Sequence, residues 1–226
     1  MPTNLLCRRR FLTRLTVLPL VAALAPPLAA QVGQRYRIEL VIFEHLGAEG
    51  RSFAYDMGRA LTPDLSGFGL GEGPIRPSQR GFELEAVANR IERSGQGRVL
   101  ARLAWDQLGR SFDATPWIRV QEGRYLGLRQ HGGDEGEAPG AGVGLRPLAP
   151  QYERYELEGR IRVWVGRFLH LETDLIYYVP PADDTAPDQP LAVPVRGSQR
   201  MNSGEDLFYL DHPVIGIIAR VTRLDE

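Results

Sequence analysis

Alternating apolar and polar residues predict strands at several places along the chain. The segment 36–45 (YRIELVIFEH) alternates and is rich in β-branched residues, which is typical of a strand. Apolar residues then recur at helical spacing between positions 84 and 91, and Ser94-Gly95 supplies a stop signal, so one amphipathic helix is expected. Residues 98–105 alternate again as a strand. The first half is therefore predicted to run β-loop-α-β, with the Gly-, Pro- and Ser-rich residues 47–81 as its long loop.

The second half is predicted to form antiparallel hairpins, and the pattern of the first hairpin favours one register. A three-residue loop at 165–167 would place Ile161 opposite Leu171 on an apolar face. On the other face, the same register sets Arg160 opposite Glu172. A two-residue loop would instead place Ile161 against Glu172, which would bring a carboxylate into the core. The three-residue loop is therefore preferred.

Further strands are predicted near 196–206 and at 214–223, after a Pro- and Asp-rich break at 180–194. The predicted fold class is α+β, with mostly antiparallel sheet and one main amphipathic helix. The predicted organisation is a signal peptide at 1–30, an N-terminal β-loop-α-β half at 31–126, a flexible linker at 127–150 and a C-terminal antiparallel hairpin half at 151–226.

The first thirty residues have the layout of a secretory signal peptide. Four arginines precede an apolar run at 15–24, and Leu28-Ala29-Ala30 offers a cleavage point before Gln31. The run is short for a bilayer-spanning helix and prolines interrupt it, so no membrane anchor is expected. The arginine pair ahead of Phe11-Leu12 also resembles a twin-arginine export motif, and an arginine-rich Sec signal is the alternative.

Composition narrows the possible partners. The chain has 27 basic and 28 acidic residues, and all 27 basic residues are arginine, so its net charge of −1 gives no electrostatic reason to expect nucleic acid binding. Four of these arginines lie in residues 1–30, which leaves 23 against 28 acidic residues after cleavage. Cleavage also removes the only cysteine, Cys7, so the mature protein is expected to have no disulfide.

No familiar catalytic motif is present in the sequence. A zinc site would need His170, Glu172, Asp211 and His212 to meet, which requires the last two hairpins to be adjacent. Glu172 and Asp174 lie two residues apart on one strand face, as a hydrolase pair would, but such acids are also ordinary on a solvated sheet face. Neither a metal nor a cofactor is therefore predicted. The three tryptophans, Trp105, Trp117 and Trp164, would stack on sugar rings if exposed and otherwise pack in the core.

Two longer segments resemble a known family. Residues 166–175 (GRFLHLETDL) contain an aromatic-Leu-His strand that ends in Asp-Leu, and residues 201–216 (MNSGEDLFYLDHPVIG) contain an aromatic-x-Asp-His-Pro turn before an apolar strand. Together with Val41-Ile42-Phe43 and the Trp-x-Gln passage at 103–107, they are similar, in the same order, to the CsiV family of periplasmic peptidoglycan-binding proteins.

The resemblance implies a periplasmic protein that is not an enzyme and needs no cofactor. It would bind peptidoglycan and support a class A penicillin-binding synthase through the outer-membrane lipoprotein activator LpoA. The side chains expected to contact peptidoglycan are Arg162, His170, Asp174, Tyr209, Asp211 and His212. The alternative is a periplasmic cell-wall hydrolase that uses Glu172 and Asp174, or a His170/His212 cluster.

The motif Asp211-His212-Pro213 has two interpretations, a structural turn or a contact surface. Asp211 is expected to order the turn through its carboxylate, and Pro213 to fix the backbone at the entry of the next strand. His212 is the member that neither task requires, so the sequence makes it the residue to test for binding.

Overall fold

The computed structural model describes residues 32–47, 61–130, 151–179, 191–201 and 207–224. The predicted signal peptide and most of the predicted linker lie outside these residues. The chain forms nine strands and one α-helix, together with a short 3₁₀ turn at Phe112–Ala114, within the described ranges. In chain order the elements are β1 (Arg35–His45), β2 (Arg76–Pro77), α1 (Glu85–Ser94), β3 (Gly97–Leu108), β4 (Ile118–Gln130), β5 (Gln151–Val165), β6 (Leu169–Val179), β7 (Leu191–Met201), β8 (Leu207–Asp211) and β9 (Ile215–Leu224).

The strands form two antiparallel sheets. Sheet A has the order β2-β3-β1-β9-β8, and sheet B has the order β4-β5-β6-β7. Mostly antiparallel sheet with one helix is the architecture that the alternating pattern predicts. The predicted β-loop-α-β order of the first half is also present, as β1, α1 and β3 with the short β2 inside the loop.

One apolar core lies between the two sheets. Ile38 and Leu40 of β1 are fully buried and belong to the same cluster as Ile161 of β5 and Leu171 of β6. Successive side chains of a strand point to opposite faces, so burying every second residue leaves the intervening ones on the outside of each sheet. The outer face of sheet A is partly covered by α1, whose Ala88 packs near Val41 and Phe43.

The two sheets do not coincide with the two predicted halves. Strand β4 begins in the predicted N-terminal half but pairs with β5, whereas β9 from the predicted C-terminal half pairs with β1. Residues 127–130, which the sequence assigned to the linker, are the end of β4. Strand β4 escaped prediction because Gly123 and Gly127 have positive φ and the β4–β5 register shifts twice between Glu122 and Gly127. These bulges interrupt the alternation that identifies a strand.

The register of the β5–β6 hairpin differs from the predicted one by two residues. Val165 pairs with Leu169, so the three loop residues are 166–168 rather than 165–167. Arg160 consequently lies opposite Asp174 rather than Glu172. A shift of two residues keeps each side chain on its predicted face of the sheet. It also places the buried Val165 in β5, paired with Leu169, instead of leaving it in the loop.

Strand β7 begins earlier than the sequence indicates. It spans Leu191–Met201, whereas a strand near 196–206 was predicted because Pro194 appeared to exclude the residues before it. β7 is an edge strand of sheet B, and an edge strand tolerates proline because half of its N–H groups need no ladder partner. The described residues include no helix that is long and apolar enough to cross a bilayer.

A buried carboxylate joins the two sheets. Both carboxylate oxygens of Glu156 on β5 accept hydrogen bonds from Arg98 on β3, at 2.9 and 3.2 Å, and from the Arg124 backbone and guanidinium on β4, at 2.9 and 2.6 Å. Arg98 also binds Glu44 of β1 at 2.8 Å. Burial disfavours the charged form of Glu156, but the bonds from Arg98 and Arg124 outweigh it and hold the pKa of this carboxyl below its ordinary value.

We expect Glu156→Gln to lower the free energy of unfolding by about 2 kcal/mol near neutral pH, because the charge-assisted hydrogen bonds that the buried carboxylate accepts from Arg98 and Arg124 are weakened or lost. The folded-state pKa is depressed, so the contribution of Glu156 is present above the unfolded-state pKa of about 4.3 and is lost as the pH falls through the folded-state value. Urea unfolding of both proteins from about pH 7 to about pH 3 should show the difference shrinking in acid.

The matched control is Glu92→Gln, which removes an exposed carboxylate paired with Arg102 and should cost no more than about 1 kcal/mol. A Glu156→Gln difference that stays constant over the whole pH range would contradict the assignment.

Candidate functional site

The outer face of sheet B carries arginines and aromatic rings in cross-strand rows. One row runs from Arg160 through Asp174 to Arg196, the next contains Arg162 and Glu172, and a third contains Trp164, His170 and Arg200. Trp117, which precedes β4, lies over the first two rows. We call this surface the arginine–aromatic face and define it by Trp117, Arg160, Arg162, Trp164, His170, Glu172, Asp174, Arg196 and Arg200.

Ion pairs hold the carboxylates of this face. Arg162 donates to Glu172 through Nε at 2.8 Å and lies 2.7 Å from it through Nη2. Asp174 accepts a hydrogen bond from Arg196 at 2.7 Å, and its other oxygen lies 3.5 Å from Arg160. Arg196 is 63% exposed, so its guanidinium remains open to solvent beside the Asp174 carboxylate.

The aromatic rings are packed by these arginines and by one another. The guanidinium carbons of Arg160 and Arg162 lie 4.4 and 4.3 Å from the centre of the Trp117 ring. Trp164 and His170 stack almost in parallel, with ring centres 3.9 Å apart. Burial, and secondarily the nearby charge of Arg200, lower the pKa of His170, which favours its neutral form.

A cleft opens between Trp117 and β7. Its volume is about 300 Å³. Carboxylates, guanidinium groups, hydroxyls and one indole ring share its wall, a composition suited to a polar ligand with rings. The lining residues are Trp117, Arg160, Glu172, Thr173, Asp174, Arg196, Gly197 and Ser198.

The Gly-rich loop before β2 positions Trp117. The N–H of Phe68 donates to the carbonyl of Trp117 at 2.9 Å, and the N–H of Arg119 donates to the carbonyl of Phe68 at 2.9 Å. Gly67 has φ +137°, and a side chain there would meet the Trp117 carbonyl at 2.7 Å. Only glycine permits this approach, so part of the predicted long loop serves to fix the indole at the cleft.

The other predicted binding residues lie on sheet A. Tyr209 of β8 donates its hydroxyl proton to Asp211 at 2.8 Å, and the hydroxyl lies 3.3 Å from Nε2 of His45. Tyr209 is 48% exposed and Asp211 73% exposed. Burial, followed by the bond to Asp211, raises the pKa of Tyr209. The six predicted side chains therefore form two groups on different sheets rather than one site.

The roles predicted for Asp211 and His212 in the turn are exchanged. His212 and Ile215 exchange backbone hydrogen bonds at 3.0 and 3.2 Å, so the Asp-His-Pro motif does close the β8–β9 hairpin. The side chain that binds within the turn is His212, whose Nδ1 accepts the N–H of Val214 at 3.4 Å. Asp211 instead accepts the Tyr209 hydroxyl, because strand alternation sends its side chain out beside Tyr209.

The structure does not assemble the zinc site considered from the sequence. His170 and Glu172 lie on sheet B, whereas Asp211 ends β8 of sheet A and His212 follows it, so the two hairpins are not neighbours in one sheet. No group of three or more metal-ligating side chains occurs among the described residues. His170 and His212 likewise belong to different sheets, and no contact joins the two side chains among those described. Glu172 and Asp174 do share the cleft, but each is bound by arginine.

Comparison with protein families provides the decisive observation. The family model described as "Peptidoglycan-binding protein, CsiV" matches residues 59–224. The chain belongs to the CsiV family. Comparisons with curated proteins and with solved structures find no match. The matched range contains the arginine–aromatic face, the cleft and the Asp-His-Pro turn, so every predicted site residue lies within the CsiV match.

Sequence reasoning found some CsiV site residues and missed others. Arg162, His170 and Asp174 were predicted and lie on the arginine–aromatic face, although Arg162 is buried beneath Phe112 and Trp117. Trp105 is fully buried and therefore cannot stack on a sugar. Arg196 and Arg200 were missed, although the predicted strand contains both, because only the pairing of β7 with β6 places them opposite Asp174 and His170. Their exposed side chains at alternate positions of β7 are the signal that would have found them.

We expect His212→Ala to lower the free energy of unfolding by about 1 kcal/mol, because it removes the acceptor for the Val214 N–H. Asp211→Ala should cost about 0.5 kcal/mol or less, since its carboxylate is exposed and binds only at the surface. Urea unfolding of both variants measures which substitution lowers the free energy of unfolding more. A larger loss for Asp211→Ala would restore the roles predicted from the sequence.

Proposed function

We propose that the protein binds peptidoglycan through the arginine–aromatic face and is not an enzyme. The observation that carries the proposal is the cleft of about 300 Å³, in which the Trp117 indole lies beside the exposed guanidinium of Arg196. An indole offers an apolar face for a sugar ring, and a guanidinium donates hydrogen bonds to the oxygen atoms around that ring. The glycan strand of peptidoglycan presents both the rings and the oxygen acceptors.

Membership of the CsiV family supports the same ligand, because the family is described as peptidoglycan-binding. It also favours a place in the cell envelope, where peptidoglycan is found. The sequence of residues 1–30 supports export to the periplasm, because it has the arginines, the short apolar run and the small residues of a signal peptide.

The ion pairs of the cleft argue for binding rather than hydrolysis. A hydrolase of the paired-carboxylate type needs one carboxylic acid to protonate the leaving group and one free carboxylate. Glu172 is bound twice by Arg162, and Asp174 is bound by Arg196 and lies near Arg160. Both acids are therefore held as partners of guanidinium groups, which is the arrangement of a rigid recognition surface.

We infer a role in cell-wall synthesis from the resemblance to the family. The protein would bind peptidoglycan with one surface and the lipoprotein activator LpoA of a class A penicillin-binding synthase with another. The group formed by His45, Tyr209 and Asp211 lies on sheet A, away from the arginine–aromatic face of sheet B, and is a suitable second surface. A pull-down with purified LpoA in the presence and absence of sacculi tests this, and loss of the complex in Tyr209→Ala is the expected result.

Sedimentation of the mature protein with purified sacculi tests peptidoglycan binding. We expect Trp117→Ala to weaken binding roughly three- to tenfold, because an aromatic contact contributes about 0.5–1.5 kcal/mol. Arg196→Gln, which changes an exposed side chain of the same cleft, should weaken binding without loss of stability. The intact protein should leave the sacculi undigested, with no release of soluble muropeptides.

The matched control is Tyr209→Ala, which removes an exposed aromatic ring from the other sheet and should leave sacculus binding unchanged. Equal weakening by Trp117→Ala and Tyr209→Ala would overturn the assignment to sheet B. Release of muropeptides by the intact protein would favour the hydrolase.

A further inference from the structure

The tip of the β5–β6 hairpin and the end of β7 form a second polar surface beside the cleft. Arg167 occupies the middle of the three-residue loop, which is closed by a bond from the Gly166 N–H to the Phe168 carbonyl at 2.9 Å. Arg200 on β7 lies opposite His170. Both guanidinium groups lie against the ring of Phe168, at 4.4 Å for Arg200 and 5.6 Å for Arg167.

The charges of this tip differ from those of the cleft. In the cleft, Glu172 and Asp174 neutralise the arginines around them. At the tip, by contrast, no carboxylate of the described residues lies within salt-bridge distance of Arg167 or Arg200, and both side chains are exposed. Two cations therefore lie near one ring, exposed to solvent and without an ion-pair partner among the residues that the structure describes.

Such a pair is suited to an anion of planar shape. Guanidinium groups bind carboxylates in a bidentate geometry, and packing against an aromatic ring reduces the freedom they would lose on binding. Alternate residues of a strand are about 7 Å apart, so Arg196 and Arg200 are separated by about 14 Å along β7. A ligand that fills the cleft would thus reach the tip only through a branch several bonds long.

We propose that Arg167 and Arg200 bind a carboxylate of the peptide stem while the cleft holds the glycan strand. This inference rests on the proposed function and adds which part of peptidoglycan each surface recognises. The sugar backbone of peptidoglycan supplies rings and neutral polar groups, whereas the stems branch from it and carry free carboxylates. The neutral cleft therefore matches the sugar backbone, and the cationic tip matches the carboxylates of the stems.

The experiment compares two forms of the polymer. Soluble glycan strands that carry their peptide stems are used either unmodified or after coupling of the stem carboxylates to methylamine, which converts them to neutral amides, and the mature protein is titrated with each. The wild-type protein should bind the unmodified strands about tenfold more tightly than the amidated strands, because a charge-assisted contact to a carboxylate is lost. The double variant Arg167→Gln/Arg200→Gln should bind both materials with the weaker affinity.

The matched control is Arg90→Gln, which removes an exposed arginine from α1 on the far side of sheet A and should keep the preference for unmodified strands. Thermal unfolding of every variant excludes loss of the fold, since the substituted side chains are exposed. Equal binding of the wild-type protein to both materials, or an unchanged preference in the double variant, would overturn the inference and leave the proposed function standing. Binding of the wild-type protein to neither material would instead overturn the proposed function.

Discussion

The burial of one face of every long strand in the core between the two sheets is the constraint on which the rest of the structure depends. The core buries Ile161, Val163 and Leu171. The residues that alternate with them along β5 and β6 must therefore face outward. Sheet A covers much of its outer face with α1, but the described residues place no helix over sheet B. Side chains alternate between the two faces of a strand, and one face of each strand of sheet B is buried. The strand residues of the arginine–aromatic face are the alternate ones that remain on the other face.

Electrostatics then divide that face into two parts. Near Trp117 the arginines are balanced by Glu172 and Asp174, which fixes the cleft and keeps its net charge low. At the hairpin tip, no described carboxylate forms an ion pair with Arg167 or Arg200. Both guanidinium groups are exposed to solvent beside Phe168. The ion-pair network of Glu44, Arg98 and the buried Glu156 serves a different purpose, since it joins β1, β3 and β5 across the two sheets.

The sequence predicted what short-range periodicity determines. The face that each residue of β5 and β6 occupies was correct, because a side-chain period of two survives even the two-residue error in register. Strand β4 was missed because glycine bulges break its alternation of apolar and polar residues. The start of β7 was predicted too late in the sequence because Pro194 was assumed to exclude a strand. The separation of His170 from His212 depends on which strands pair across the chain, and no local pattern contains that information. The family, in contrast, was recognisable from four motifs that occur in the family's order.

The most direct test of the central claim is a map of which residues respond when peptidoglycan binds. Backbone amide chemical shifts of the mature protein, recorded during titration with soluble muropeptides, provide that map. The account predicts that the largest changes fall at Trp117, around His170 on β6 and from Arg196 to Arg200 on β7. Changes concentrated instead at His45 and along β8, with sheet B unaffected, would contradict it.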